Sequence, residues 1–450
     1  MLYGLALPLG GDRLAHLINW SLGLGTAWML VYLGRRQGSV RAGLLAALLF
    51  YSTPLVGLLS WKASVELSWT FYQLLAVYAV IVGLEESATN PRKWWLMGIC
   101  LGFALSTKYT AWPLAGVLAA LIVWRLRAKG ESFSSIAGQS VAPALFALGI
   151  VSIWPLRNLL FYGNPIFPFY QDSMAPLGPH ADWKGLMLDA HSRNLTTAFG
   201  SWNGAWGFIL HPWSELTLGR SDVDMMGPIL ILGLPLLVVT RFVTDSTRTI
   251  FLAALSLWAI WGLTTDMARF FLPVFALVMF LYAVSFEALL SKPAKTLAYA
   301  LLSIVLLDNF LTTANWFRLY EAEGVVTGAE SVPSYLGRVH PSYGQTHYAA
   351  AEFIRAKLPP ESRVLVLGDG RGFGIGRDFV ASSRFSENPL VGYLRESTTP
   401  EEVPKFNFEV QHLTVKASAM MRRDAENLQA PDGRRTRPVV VVQSSWEIIA

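Results

Sequence analysis

The sequence predicts an α-helical polytopic membrane protein that ends in a small soluble α/β domain, and three observations carry that prediction. Charged residues make up only 15% of the 450 positions and hydrophobic ones 53%, whereas a soluble globular domain is roughly 25% charged. The scarcity is uneven. Residues 1–319 hold 21 Lys or Arg and 15 Asp or Glu, about 11% charged, while residues 320–450 hold 15 and 16, about 24%. The chain is also rich in amphipathic aromatics, with 17 Trp and 15 Tyr, residue types that collect where a protein crosses the membrane–water boundary.

Net charge and cysteine narrow the function classes. The formal +5 resides in residues 1–319, where basic residues orient helices in the bilayer, so it does not argue for a nucleic-acid partner. Cys100 is the single cysteine. It can form no intrachain disulfide, and no Cys/His pattern suggests zinc.

A spanning helix needs roughly 20 mostly apolar residues. Such segments fall at about 14–33, 42–60, 66–84, 138–158, 226–242, 248–264, 270–290 and 296–316. The stretch from Trp94 to Trp124 is too long for one span and is broken by Ser106-Thr107-Lys108-Tyr109-Thr110, so it reads as two short helices meeting at Lys108. About ten membrane-crossing or re-entrant helices result. Every second connection is basic: Arg35, Arg36 and Arg41; Arg92 and Lys93; Arg125, Arg127 and Lys129; Arg241 and Arg248; Lys292 and Lys295. That face is cytoplasmic by the positive-inside rule. The other receives the N-terminus, the Trp61-Lys62 turn, an outer loop at about 160–225, the Thr264 to Arg269 turn and the tail.

The tail, residues 320–450, reads as a non-cytoplasmic soluble α/β domain. Tyr348 to Leu358 has helical spacing, Pro359-Pro360 stops it, and Arg363 to Gly368 follows as a buried-strand pattern. Val410 to Val415 and Val439 to Val442 read as further strands. The run Gly368 to Gly376 has alternating glycines but neither a dinucleotide fingerprint opening a helix nor the Lys-Ser/Thr pair of a phosphate loop. It reads as an irregular turn after a strand.

Ionisable groups within a span are costly, by about 2.5–3.5 kcal/mol at mid-bilayer on insertion scales. Four sites fall at the outer edge: Glu66 opens the third span, Lys108 sits at the hairpin tip, Arg157 with Asn158 closes the sixth, and Arg269 opens the ninth. Long basic chains at helix ends also snorkel to interfacial water for reasons unrelated to function. Glu66 is too short for that, though an edge ion pair with Lys62 accounts for it as well as metal binding does. Three cations and one carboxylate on an outward face suit a phosphate-bearing lipid: Arg and Lys match phosphate oxygens, and a carboxylate can hold a divalent cation or orient a nucleophile.

The order of motifs resembles a family. Trp61-Lys-Ala-Ser-Val-Glu66-Leu-Ser-Trp-Thr-Phe71 is followed by Gly98-Ile-Cys-Leu-Gly102-Phe-Ala-Leu-Ser-Thr-Lys108-Tyr-Thr-Ala, then Trp154-Pro-Leu-Arg157-Asn158 with Gly163-Asn164-Pro165-Ile-Phe-Pro168, then Asp266-Met-Ala-Arg269-Phe-Phe-Leu-Pro273. Together they look like the GT-C superfamily of polytopic glycosyltransferases, near the bacterial relatives of protein O-mannosyltransferases and of the lipid A aminoarabinose transferase. The resemblance covers most of residues 14–290. It implies an enzyme of the bacterial cytoplasmic membrane that moves a hexosyl or pentosyl group from a polyprenyl-phosphate sugar lipid to an acceptor on the outer face. It further implies that Glu66 stands where the family has a catalytic acid that helps bind a divalent metal (Mg or Mn), and that Lys108, Arg157 and Arg269 stand where bases meet the donor phosphate. The family's second acid lies in a loop after its first helix. Asp12 is the only acid near that point and is not in the expected motif, so an additional upstream helix with an acidic loop is expected. The alternative is a non-catalytic GT-C-like scaffold or accessory subunit that meets a protein partner through the tail.

The outer loop carries Trp202, Trp206, Phe208 and Trp213 with few charges, which suits either a helix lying in the interface beside a lipid entrance or an aromatic belt. Its aspartates, Asp172, Asp182, Asp189, Asp222 and Asp224, and its histidines, His180, His191 and His211, read as solvated loop residues.

Overall fold

The computed structural model describes residues 2–85, 91–174, 226–230, 232–233, 237, 244–264, 267–290, 295–338, 348–366, 372, 374–381, 439–442 and 448–449. They divide into two compact units, Met1–Arg157 with Met187–Thr313, and Asn158–Leu186 with Ala314–Ala450.

The first unit is a helical bundle. Its helices are α1 (Leu2–Arg36), α2 (Val40–Ser52), α3 (Pro54–Ser60), α4 (Glu66–Glu85), α5 (Pro91–Leu105), α6 (Pro113–Ala128) and α7 (Phe133–Val151), which runs on into α8 (Ile153–Tyr162). The short helix α9 (Gln171–Met174) falls in the second unit, and the bundle resumes with α10 (Asp245–Thr264), α11 (Ala268–Leu290) and α12 (Lys295–Tyr320). Among the described residues seven helices are long and apolar enough to cross a membrane, or eight if α2 and α3 count as one span. The chain is a multi-pass membrane protein. The sequence-based count of about ten differs for identifiable reasons: most of 226–242 lies outside the described residues, and the apolar part of α5, Trp94–Leu105, is shorter than a full span.

Local sequence explains the breaks. Thr53 is extended (φ −64°, ψ 127°) before Pro54, which disfavours helix in the residue it follows, and α2 and α3 meet at 71°. The 94–124 stretch divides where it was expected to. α5 ends at Leu105, Lys108 is fully extended (φ −164°, ψ 149°), a 3₁₀ turn covers Tyr109–Ala111, and Pro113 opens α6. A further break was not foreseen: Gly11 adopts φ 65° inside α1, a conformation that glycine tolerates without a Cβ clash. The N-terminal turns therefore fold back, and the Tyr3 hydroxyl comes within 3.0 Å of Asn19 Oδ1. Sixteen residues of straight helix would hold them about 24 Å apart.

α11 is the centre of the bundle; Phe275, Phe280 and Tyr282 are fully buried, and Tyr282 donates to the Leu230 carbonyl at 3.0 Å. Where no solvent drives helices together, close approach of small residues does. Gly98 and Gly102 of α5 lie directly on α7: a Cβ on Gly98 would stand 2.3 Å from the Pro143 carbonyl oxygen, and one on Gly102 would stand 2.8 Å from Ile150 Cβ.

One end of the bundle is tied by ions. Arg36 pairs with Glu85 at 2.8 Å, Ser246 donates to the same carboxylate, and Arg125 pairs with Asp245 at 2.5 Å. These are the ends assigned to the cytoplasmic side.

In the second unit, Asn164 organises the Asn-Pro turn. Its amide donates to the Phe169 carbonyl at 2.8 Å and to Gln171 Oε1 at 2.9 Å, and its Oδ1 accepts from Ile166 N–H at 2.9 Å. After α12 come two short helices, α13 (Glu323–Val326) and α14 (Val332–Gly337), then α15 (Tyr348–Lys357) and four strands. The strands are β1 (Arg363–Val366), β2 (Asp378–Ala381), β3 (Val439–Val442) and β4 (Ile448–Ile449), in the order β2-β1-β3-β4. β1 is parallel to both β2 and β3, and β4 is antiparallel to β3. Ile354 of α15 packs on Val364 and Val366. The glycine run passes from β1 to β2, with Gly374 at φ 89° and Gly376 at φ 65°, so a strand rather than a helix follows it. The expected strand at 410–415 lies outside the described residues.

Candidate functional site

The opposite end of α4 carries the site. Glu66 is the first residue of that helix, and its side chain is only 6% exposed. Lys108, on the extended break between α5 and α6, brings Nζ to 3.2 Å from Glu66 Oε1. Arg269, in the first turn of α11, brings Nε to 3.8 Å from the same oxygen. Phe270 is the floor between the two cations: Lys108 Nζ is 3.3 Å from its ring centroid and the Arg269 guanidinium 5.4 Å. A cation over a ring face is attracted by the quadrupole. Burial pushes the Lys108 ammonium below the ordinary lysine range, an effect that Glu66 opposes and Arg269 reinforces.

Three of the four sequence-derived residues thus share one cluster. Arg157 is exposed on α8 and takes no part in the ion pairs that join the other three. Lys62 offers its backbone carbonyl to Asn19 at 2.6 Å, while the ion pairs of Glu66 run to Lys108 and Arg269.

Below Glu66 a brace holds the start of α4. The Tyr3 hydroxyl lies 2.6 Å from the Ser64 carbonyl and 3.3 Å from Ser68 Oγ, and buried Asn19 donates to the Leu59 and Lys62 carbonyls at 2.7 and 2.6 Å. The sequence hinted at this only through Gly10-Gly11 interrupting an apolar run.

The arrangement can bind an anion. Two cations face one carboxylate, and Arg269 Nε is buried without a hydrogen-bond partner among the described residues, so the cluster has one positive charge and at least one donor to spare. Among the described residues no group of three or more His, Cys, Asp or Glu converges, and Glu66 is the single acid of the cluster. The outer-loop acids beyond Asp172, the histidines, and the aromatics from Trp202 to Trp213 lie outside the described residues.

Residues 10–154 match the family of dolichyl-phosphate-mannose-protein mannosyltransferases. No curated protein matches the sequence. Among solved structures, ArnT from Cupriavidus metallidurans in the apo state is 13% identical, with TM-score 0.57 over 98% of this chain and 81% of that one. The same protein bound to undecaprenyl phosphate is 12% identical, with TM-score 0.52 over the same shares. An oligosaccharyltransferase from Archaeoglobus fulgidus solved with zinc and sulfate is 14% identical, with TM-score 0.49 over 82% of this chain and 50% of that one. The chain therefore shares the fold of ArnT and is similar over residues 10–154 to a GT-C glycosyltransferase family, in keeping with the resemblance of its motifs.

Proposed function

We propose that the protein is a glycosyltransferase that passes a sugar from a polyprenyl-phosphate carrier to an acceptor on the outer face of the bacterial cytoplasmic membrane. The observation that carries this reading is the Lys108–Glu66–Arg269 cluster on a GT-C fold. ArnT, whose fold the chain shares, is solved with undecaprenyl phosphate bound.

The charges suit the chemistry. A sugar linked to polyprenyl phosphate is a phosphodiester with one negative charge, which matches the net charge of one carboxylate and two cations. An acceptor hydroxyl or amine attacks the anomeric carbon, the bond from that carbon to the phosphate oxygen breaks, and the electron pair leaves with polyprenyl phosphate. The acceptor's proton passes to water. The departing phosphate monoester gathers charge, toward about −1.5 to −2 at pH 7. Lys108 and Arg269 therefore bind the transition state more strongly than the substrate, which is the condition for raising the rate. Arg157 supplies a further cation to the lipid phosphate from the outer edge. Glu66 holds the two cations apart and oriented. A divalent ion beside it would draw its remaining oxygens from the donor phosphate, and no step here runs through one. Residues 320–450 belong on the non-cytoplasmic side, where they can meet acceptor or a protein partner.

The test is undecaprenyl phosphate binding by the purified protein in lipid nanodiscs. Wild type should bind, and Lys108→Gln and Arg269→Gln should each weaken binding about tenfold or more, as expected for hydrogen bonds to a charged group. Equal binding by all three would remove the cluster from the donor site.

A further inference from the structure

Beneath the cluster, α4 turns a polar face into the bundle. Trp69 and Gln73 follow Glu66 at helical spacing, and with Thr110 they line a cavity that also includes Trp261, Thr264 and Phe270. Its inner space measures about 30 Å³, and it opens to solvent at a mouth. That space admits a group the size of two or three waters, each needing about 10–15 Å³.

The lining is unusual in its unspent donors. Trp69 Nε1, Gln73 Nε2 and Thr110 Oγ1 are all buried without a hydrogen-bond partner among the described residues, and Trp69 and Gln73 are 5% and 1% exposed. Buried polar groups are almost always paired, and those that are not call for an explanation. Here three converge on one cavity whose wall, Phe270, also carries the Lys108 ammonium.

We infer that this cavity is the sugar-selecting pocket of the donor site: its narrow part takes one hydroxyl or hydroxymethyl group of an uncharged sugar, and the ring rests at the mouth. An indole N–H and an amide N–H can only donate, so they complement the lone pairs of a hydroxyl oxygen and disfavour an ammonium, which Lys108 and Arg269 would also repel. Trp69 and Trp261 give the apolar C–H faces of the ring a surface. The inference rests on the donor-lipid reading above and assigns selectivity to Gln73, Trp69 and Thr110.

The experiment compares nanodisc binding of undecaprenyl phosphate with that of its mannosyl, glucosyl and 4-aminoarabinosyl esters, in wild type, Gln73→Leu and Trp69→Phe. Gln73→Leu is near-isosteric and Trp69→Phe keeps an aromatic ring at the buried position, so the helix should fold as before. In wild type at least one neutral ester should bind about tenfold tighter than undecaprenyl phosphate, and the amino ester should show no such gain. Gln73→Leu and Trp69→Phe should erase most of the gain and leave undecaprenyl phosphate itself unchanged. No gain for either neutral ester, a larger gain for the amino ester, or a gain that survives both substitutions would overturn the pocket. Failure of wild type to bind undecaprenyl phosphate at all would instead overturn the donor-lipid reading.

Discussion

Helix α4 carries one glutamate at each end, about 30 Å apart at 1.5 Å per residue, and the two are built in opposite ways. Glu85 is 36% exposed, and both of its oxygens are engaged at short range, one by Arg36 and one by Ser246. Glu66 is 6% exposed, and its two cations both approach one oxygen, at the longer distances of 3.2 and 3.8 Å. The first is a clamp between helix ends, closed and accessible to water. The second has a buried carboxylate between two partly exposed cations, is loosely paired and has a positive charge left over. Burying a carboxylate costs several kcal/mol, which the two cations offset, and their surplus charge on the exposed side is placed to meet an anion.

That contrast can be broken experimentally. The largest effect should come from Lys108→Gln, which strips the surplus charge from the Glu66 end: sugar transfer, followed as undecaprenyl phosphate release, should fall by about 10²-fold or more. Arg36→Gln at the other end should leave release nearly unchanged. Next, Asn19→Leu should lower stability by about 2 kcal/mol, because the Leu59 and Lys62 carbonyls lose their donor; thermal unfolding in detergent reads this directly. A double-mutant cycle on Arg36 and Glu85 should give a coupling of about 1 kcal/mol or less, the usual value for a water-accessible pair. A coupling of several kcal/mol would mean that the two ends differ less than their exposure suggests.

The smallest effect is in pH. Lys108 binds an anion only while protonated, and burial lowers its pKa from the ordinary 10.5. Undecaprenyl phosphate affinity should therefore decline as pH rises, beginning below the range of a free lysine. Lys108→Arg should flatten that decline, and an unaltered profile in this variant would assign the titration elsewhere.

Much of the bundle was legible because lipid imposes a simple code. Apolar runs of the required length marked α4, α10, α11 and α12 to within a few residues, and the Ser106 to Thr110 interruption marked the break at Lys108. Glu66, Lys108 and Arg269 stood out because charge in a span is expensive. The sequence was silent where the signal is conformational. Gly11 looks like any glycine in an apolar helix until its positive φ folds Tyr3 back onto Asn19. Gln73 carries no charge to draw notice. Its signal was positional, a polar residue seven after Glu66 and hence on the same helix face, and it gains meaning only when Trp69 and Thr110 meet it across a cavity. Arg157 was grouped with the other cations by its position at a helix end, and the structure places it exposed on α8, outside the ion pairs of Glu66.

The contact of Gly98 with Pro143 has a consequence for Lys108. A methyl group at Gly98 cannot be absorbed by a rotamer change, since it meets main-chain atoms at 2.3 and 2.7 Å. α5 would have to lever away from α7 about that point, and Leu105, seven residues or about 10 Å further along the axis, would swing with it and carry the lysine loop along. The glycine seam is thus the fulcrum of the arm that carries Lys108. A displacement of about 1 Å at a reacting group can cost roughly 10²-fold, so under the proposed function Gly98→Ala should lower undecaprenyl phosphate release by about that factor with every charged residue still in the sequence.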